Sequence, residues 1–323
     1  MGHVLGDVQK SVLLGFVVPL VIVSAVGRIS EIGLTEMPFF SAKSMDGSYT
    51  VTVLQEEQPV EMTMEAYLCR VLPAEMPPSF EPEALKAQAV AARTYTCQAR
   101  LSARKHDGAL CTDSRCCQAF STDAQLESLT QEERDKIQQA VADTDGLVLT
   151  YQGAPIEATF FSSSGGRTED ALAVWGTDLP YLRSVESPGE DSPYNETSVF
   201  FSKETLEELL DVSLGEDSLL WVGDVSHTSG GGVDRMILGD RSFSGIFLRN
   251  TLGLPSTVFT AEPEPEGIRF TGSGYGHRVG MSQYGANAMA EAGADFEEIL
   301  AHYYTGAILL NYSEFVEEWP QMW

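Results

Sequence analysis

Between Leu68 and Arg93 the chain reads Leu-Cys-Arg-Val-Leu-Pro-Ala-Glu-Met-Pro and then, after a short interval, Ala-Leu-Lys-Ala-Gln-Ala-Val-Ala-Ala-Arg. Two prolines bound a corner here. Pro73 and Pro77 each fix φ and remove a backbone donor, so residues 73–77 are expected to form an ordered turn that propagates no helix. That turn carries one carboxylate, Glu75, which a fixed corner can aim into a cleft. The chain holds 47 acidic residues, and a glutamate taken at random is a solvated loop acid, so any role for Glu75 depends on its surroundings.

The hydrophobic pattern places elements around the corner. Tyr49 to Met62 alternates at the period of a strand, and Thr63 to Leu72 reads as a short helix. Beyond the corner, Pro82 sits well in a first helical turn beside Glu83, with Ala84, Leu85, Gln88, Ala91, Ala92 and Tyr95 at helical spacing. This helix is expected to end near Lys105 and Gly108. A second, polar helix runs from about Leu129 to Asp143 and stops at Gly146. Leu147 to Tyr151 and Ala154 to Phe161 flank Gln152-Gly153 as a hairpin. An irregular stretch, 184–195, precedes a helix predicted over Phe200 to Leu214, and Pro255 to Gly267 reads as a linker before a strand at Ile268 to Thr271. The class is α+β, mixed short strands and helices, with no internal repeat.

Length and charge bound the function. At 323 residues the chain exceeds the usual single domain, which predicts one large or two intimately packed units once the N-terminus is set aside. A net charge of -27 with 20 Lys plus Arg gives no basic footprint for phosphate backbones, so nucleic acid is excluded as a partner. Residues 1–30 contain the one membrane candidate, an apolar run from Val12 to Val26 between Lys10 and Arg28, with Pro19 in its middle. We read it as a cytoplasmic tail and signal-anchor, with residues 31–323 exported; a buried core helix is the alternative.

Two further patterns carry chemistry. His106, Cys111, Cys116 and Cys117 form His-x4-Cys-x4-Cys-Cys, a donor set that suits tetrahedral zinc in a closed structural site; a disulfide from Cys111 to Cys116 or Cys117 is the alternative in an exported protein. Cys69 and Cys97 read as small buried hydrophobes. Thr271 to Ala286 reads as a strand end, a glycine-rich loop and a helix start. Its glycines miss the dinucleotide spacing, and the chain has no phosphate loop. His277, Ser282, Gln283 and Tyr284 instead offer donors and a ring suited to sugar hydroxyls and faces. Phe160-Phe161-Ser-Ser-Ser-Gly-Gly lacks a nucleophile elbow, so its serines read as donors lining a polar groove and not as a hydrolase triad.

Five ordered segments together resemble the stage II sporulation protein D family: Leu72-Pro-Ala-Glu-Met-Pro77, Ala87 to Tyr95, Ser162-Ser-Ser-Gly-Gly166, Val174-Trp-Gly176 with Pro180-Tyr-Leu182, and Gly276 to Ala286. The resemblance implies a lytic transglycosylase that cleaves the bond between N-acetylmuramic acid and N-acetylglucosamine in glycan strands stripped of stem peptides, during engulfment of the forespore. It implies Glu75 as the acid/base, with Arg93, Ser162, Ser164, His277, Gln283 and Tyr284 meeting the glycan. Some members carry tyrosine in place of Phe160. A zinc-bearing branch commonly has histidine in place of Cys116, so this chain would hold zinc through three thiolates and His106. The implied setting is the mother-cell membrane, with the catalytic part in the space between the two cells. There it would stand beside the amidase/endopeptidase stage II sporulation protein P and its membrane scaffold. A non-catalytic glycan-binding enhancer of an amidase and a zinc-dependent hydrolase are the competing readings.

Overall fold

A computed structural model of the chain describes residues 49–102 and 106–314. The expected N-terminal anchor lies outside them. Among the described residues no helix is long and apolar enough to cross a membrane.

The first strands, β1 (Thr50–Gln55) and β2 (Gln58–Thr63), form an antiparallel hairpin where the alternation suggested one strand. Glu56 and Glu57 turn it with φ of 48° and 65°, conformations usually supplied by Asn-Gly, so the turn has no sequence signal. Thr63 then caps α1 (Met64–Glu75) by accepting from the Ala66 amide. Here the structure corrects the expected turn: the helix runs through Pro73 and ends on Glu75. Pro73 lies in the last turn, where its fixed φ suits a helix and only one ladder bond is lost. The terminator is Pro77, which pushes the residue before it out of the helical region; Met76 has φ -128° and ψ 135°.

Pro82 opens α2 (Pro82–Ser102) as expected. Its Ala84, Ala87, Ala89, Ala91 and Ala92 have no exposed surface, and these small side chains let α1 and later helices approach closely. β3 (Leu110–Cys111) joins β1 in parallel. The short α3 (Asp123–Ser128), which the pattern did not announce, and α4 (Gln131–Asp143) each begin with a capping box, Thr122 with Gln125 and Thr130 with Glu133. β4 (Leu147–Tyr151) turns at Gln152-Gly153 into β5 (Ala154–Pro155), the expected hairpin. The second strand is broken, and β6 (Phe160–Phe161) pairs elsewhere. α5 (Ala171–Trp175) stops at Gly176 in the left-handed region.

After the irregular stretch come β7 (Thr197–Ser202) and α6 (Lys203–Leu210), so Phe200 and Phe201 are strand residues and the helix starts later than predicted, at a Ser202 cap. β8 (Val222–His227), β9 (Val233–Leu238) and β10 (Arg241–Ser244) make an antiparallel meander followed by α7 (Gly245–Leu252). The supposed linker is largely β11 (Val258–Glu264), which pairs with β12 (Gly267–Ser273), itself paired with β7. Pro263 is tolerated because β11 is an edge strand. The chain closes with β13 (Met281–Ser282), α8 (Gln283–Glu291), α9 (Phe296–Tyr303) and β14 (Ile308–Asn311), the last pairing with β4.

The fold is therefore mixed α+β with small sheets. Buried apolar residues gather mainly in two clusters. The larger joins α1, α2, α4 and α9 with Ile156, Val279 and Met281; the smaller lies between Leu206 and Phe270, in the sheets β11-β12-β7 and β10-β9-β8 with α6 and α7. Each fully buried leucine or valine contributes about 1.5–3 kcal/mol, so both clusters hold firm walls for what lies on them.

Candidate active site

Glu75 opens onto a groove of about 690 Å³. Several segments wall it: the end of α1, Tyr95 on α2, residues 114–118, Glu157 with residues 159–162, Trp175, and the loops at 193–194 and 275–277 together with the start of α8. Glu75 Oε1 accepts one hydrogen bond, 2.5 Å, from the Ala119 amide. Burial raises its pKa above the ordinary carboxylate range, and the Ala119 bond opposes this more weakly. Its position at the C-terminal end of α1, with no basic residue in the last turn, also disfavours the anion, because the helix carbonyls point that way. The geometry thus supplies a carboxyl group that holds its proton more tightly than an exposed glutamate does and lines an open groove.

Aromatic rings line the walls. His277 lies 5.4 Å from Trp175 and 5.7 Å from Phe161 between ring centroids, and Tyr194 and Tyr275 lie 4.3 Å apart. Trp175 and Tyr275 are 40% and 45% exposed, large rings left open where a pyranose face could lie. His277 Nδ1 accepts from the Val279 amide at 3.1 Å, and the imidazole also bonds to the Phe160 backbone. Burial, with the Arg249 charge second, lowers its pKa to about 4. The ring is therefore neutral near pH 7 and braces the loop through its nitrogens.

A two-residue parallel pairing, Met281 with Phe160 and Ser282 with Phe161, joins the serine loop to the glycine loop. Gly276 and Gly280 make that contact possible. A Cβ on Gly276, at φ +116°, would stand 2.9 Å from the Phe161 Cβ, and one on Gly280 would stand 2.1 Å from the Thr159 carbonyl oxygen. Of the predicted glycan contacts, Ser162, His277, Gln283 and Tyr284 line the groove. Ser164 does not; it is fully buried and donates to Glu190 at 2.7 Å. Arg93 is also placed elsewhere. Fully buried on α2, it donates to the carbonyls of Val141 and Leu147 and to Thr144 Oγ1, tying α2 to the end of α4. Its regular spacing in a helix that is buried on nearly all sides put it on the core face.

The side chains of His106, Cys111, Cys116 and Cys117 converge, with their ligand atoms all within 4.8 Å of one another and His106 Nε2 3.3 Å from Cys116 Sγ. None of the five cysteines is in a disulfide. Three sulfurs and one imidazole at this spread fit a tetrahedral ion after a small contraction and leave no ligand position for water. The segment that carries them continues directly into Ala119, the donor to Glu75.

The family described as "Stage II sporulation protein" matches residues 55–151. The stage II sporulation protein D of Bacillus amyloliquefaciens is 39% identical over 266 residues, covering 79% of this chain and 76% of that protein. That of Bacillus subtilis is 37% identical over 265 residues, covering 79% and 77%. The chain belongs to the stage II sporulation protein D family. A further Bacillus subtilis relative, the amidase enhancer, is 30% identical across 298 residues, taking in 75% of this chain and 40% of that protein. The family match takes in Glu75, Tyr95 and the four converging ligands, while the serine and glycine-histidine loops lie beyond its end.

Three acids that complete this family member's site carried no sequence signal. Glu190, in the irregular stretch, accepts from Ser163 Oγ, from the Ser164 amide and hydroxyl, and from the hydroxyls of Ser187 and Ser282, at 2.7–3.0 Å, so one carboxylate holds both loops. Glu169 pairs with Arg278 at 3.1 Å, both 1% exposed. Arg278, at φ +66°, also donates to the carbonyls of Ser164, Arg167 and Gly230, and thereby joins the serine loop to the β8–β9 turn. Glu157 lines the groove itself.

Proposed function

We propose that this chain is a peptidoglycan lytic transglycosylase acting on denuded glycan strands during forespore engulfment, with Glu75 as its acid/base. The observation that carries the reading is a desolvated carboxyl group at a helix C-terminus, facing a groove walled by open aromatic rings. Glu75 first gives its proton to the glycosidic oxygen between N-acetylmuramic acid and N-acetylglucosamine. It then takes the proton of the same muramyl residue's C6 hydroxyl as that oxygen closes a 1,6-anhydro ring, so no water is consumed. Trp175, Tyr275 and Tyr284 meet sugar faces, and Ser162 and Gln283 meet hydroxyls. Incubating the exported part with denuded strands should yield new chain ends, and Glu75→Gln should yield on the order of 10²–10⁴-fold fewer. Equal yields from the two proteins would refute the assignment.

His106, Cys111, Cys116 and Cys117 hold a structural zinc that fixes the segment leading to Ala119. Chelation should lower the unfolding midpoint and open residues 106–119 to protease. Loss of turnover with an unchanged midpoint would instead indicate metal chemistry. The N-terminal segment anchors the protein in the mother-cell membrane with residues 31–323 exported, where stage II sporulation protein P and its scaffold act on the same wall. A second reading follows from the amidase enhancer's 30% identity: a glycan-binding protein that stimulates an amidase and cleaves nothing itself. A wild-type protein that accelerates a partner amidase and forms no chain ends alone would favour it.

A further inference from the structure

We propose that Glu157 is a second catalytic carboxylate of the groove, one that stabilises the positive charge developing on the sugar ring while Glu75 moves the proton. The inference rests on the transglycosylase reading above. Glu157 lines the same groove as Glu75. Its neighbours Ile156 and Ala158 are 1% and 0% exposed, so its side chain stands on a backbone anchored in the core. That backbone is held on both sides. The Glu157 amide donates to the Tyr181 hydroxyl at 3.3 Å, and its carbonyl accepts from the Thr159 amide at 2.9 Å.

The carboxylate itself is left open. Among the described residues no hydrogen bond or ion pair engages it, in contrast to the other acids at this site. Glu75 is held by Ala119, Glu190 by five donors, and Glu169 by Arg278. Acids that serve as scaffold here are bonded to protein donors, whereas Glu157 presents its lone pairs to whatever enters the groove. It shares the groove wall with the Tyr95 ring of α2.

The chemistry gives such a group a task. The bond between the muramyl anomeric carbon and the bridging oxygen breaks as Glu75 protonates that oxygen. The C6 oxygen bonds to the same carbon, and its proton returns to Glu75. Between these events the ring carries positive charge, which an anion carried on an anchored backbone stabilises more in the transition state than in the ground state. Glu157 exchanges no proton and forms no bond, so the product remains the anhydro sugar. A mere solvated acid on the groove wall would leave turnover unaffected when its charge is removed.

Glu157→Gln keeps the size and removes the charge. With denuded glycan strands, kcat should fall about 100-fold with KM changed by roughly threefold at most, the products should remain anhydro, and the melting temperature should match wild type. Glu157→Asp should recover part of the rate. An unchanged kcat, a loss confined to KM, or equal losses in both variants with a lowered melting temperature would overturn the proposal. The underlying reading fails separately: a wild-type protein that forms no anhydro product, or a Glu75→Gln variant as active as wild type, removes both claims. An active wild type with an inactive Glu75→Gln and an unimpaired Glu157→Gln removes only the second carboxylate.

Discussion

At Glu75, burial and the end of α1 keep the proton on to higher pH than an exposed glutamate allows, and this has opposite consequences for activity and stability. Activity needs the protonated form first, so turnover should persist above the ordinary carboxylate range and fall as pH rises through the raised pKa. A rate profile that collapses near the unperturbed value, about 4.3, would contradict this. For stability, the folded state binds the proton more tightly than the unfolded chain. Stability contributed by Glu75 is therefore fully present below the unfolded pKa and declines as pH rises toward the folded one. Glu75→Gln should melt higher than wild type at pH 7, by roughly 2–4 °C per kcal/mol relieved, and the advantage should vanish near pH 4. Thermal melts across that window check the sign.

The elements that aim these residues are loops tied down by buried charge. Glu169→Ala would leave the Arg278 guanidinium buried without its partner and should cost about 3–5 kcal/mol in urea unfolding. Arg115→Ala, which removes the exposed pair with Asp113, should leave the urea midpoint essentially unchanged. The two long helices α2 and α4 are legible in the sequence because Pro82 opens one and Gly146 follows the other with local chemistry. The convergence of the cysteine cluster was legible by spacing, since three thiols and an imidazole fall within a dozen residues. Other features resisted reading because their causes are not local. Pro73 looked like a stop, although its place in the last turn of α1 made it harmless and left Pro77 to end the helix. Arg93 lies on a helix with few exposed faces, so periodicity could not say whether it met substrate or core. Glu190 and Arg278 work through partners far along the chain, and nothing in their neighbourhoods marks them.

For the whole molecule, one groove draws on residues from Glu75 to Tyr284, far apart in an acidic chain. The larger hydrophobic cluster anchors α1, α2 and Met281, while Arg278, paired with Glu169 and bonded to the Gly230 carbonyl, joins the glycine loop to the β8–β9 turn. Such preorganisation is what a reaction with one proton shuttle requires. The most direct measurement digests denuded glycan strands in heavy-oxygen water and weighs the new muramyl ends. The account predicts unlabelled ends, each lighter by one water than a hydrolysed product. Ends carrying the heavy oxygen would contradict it.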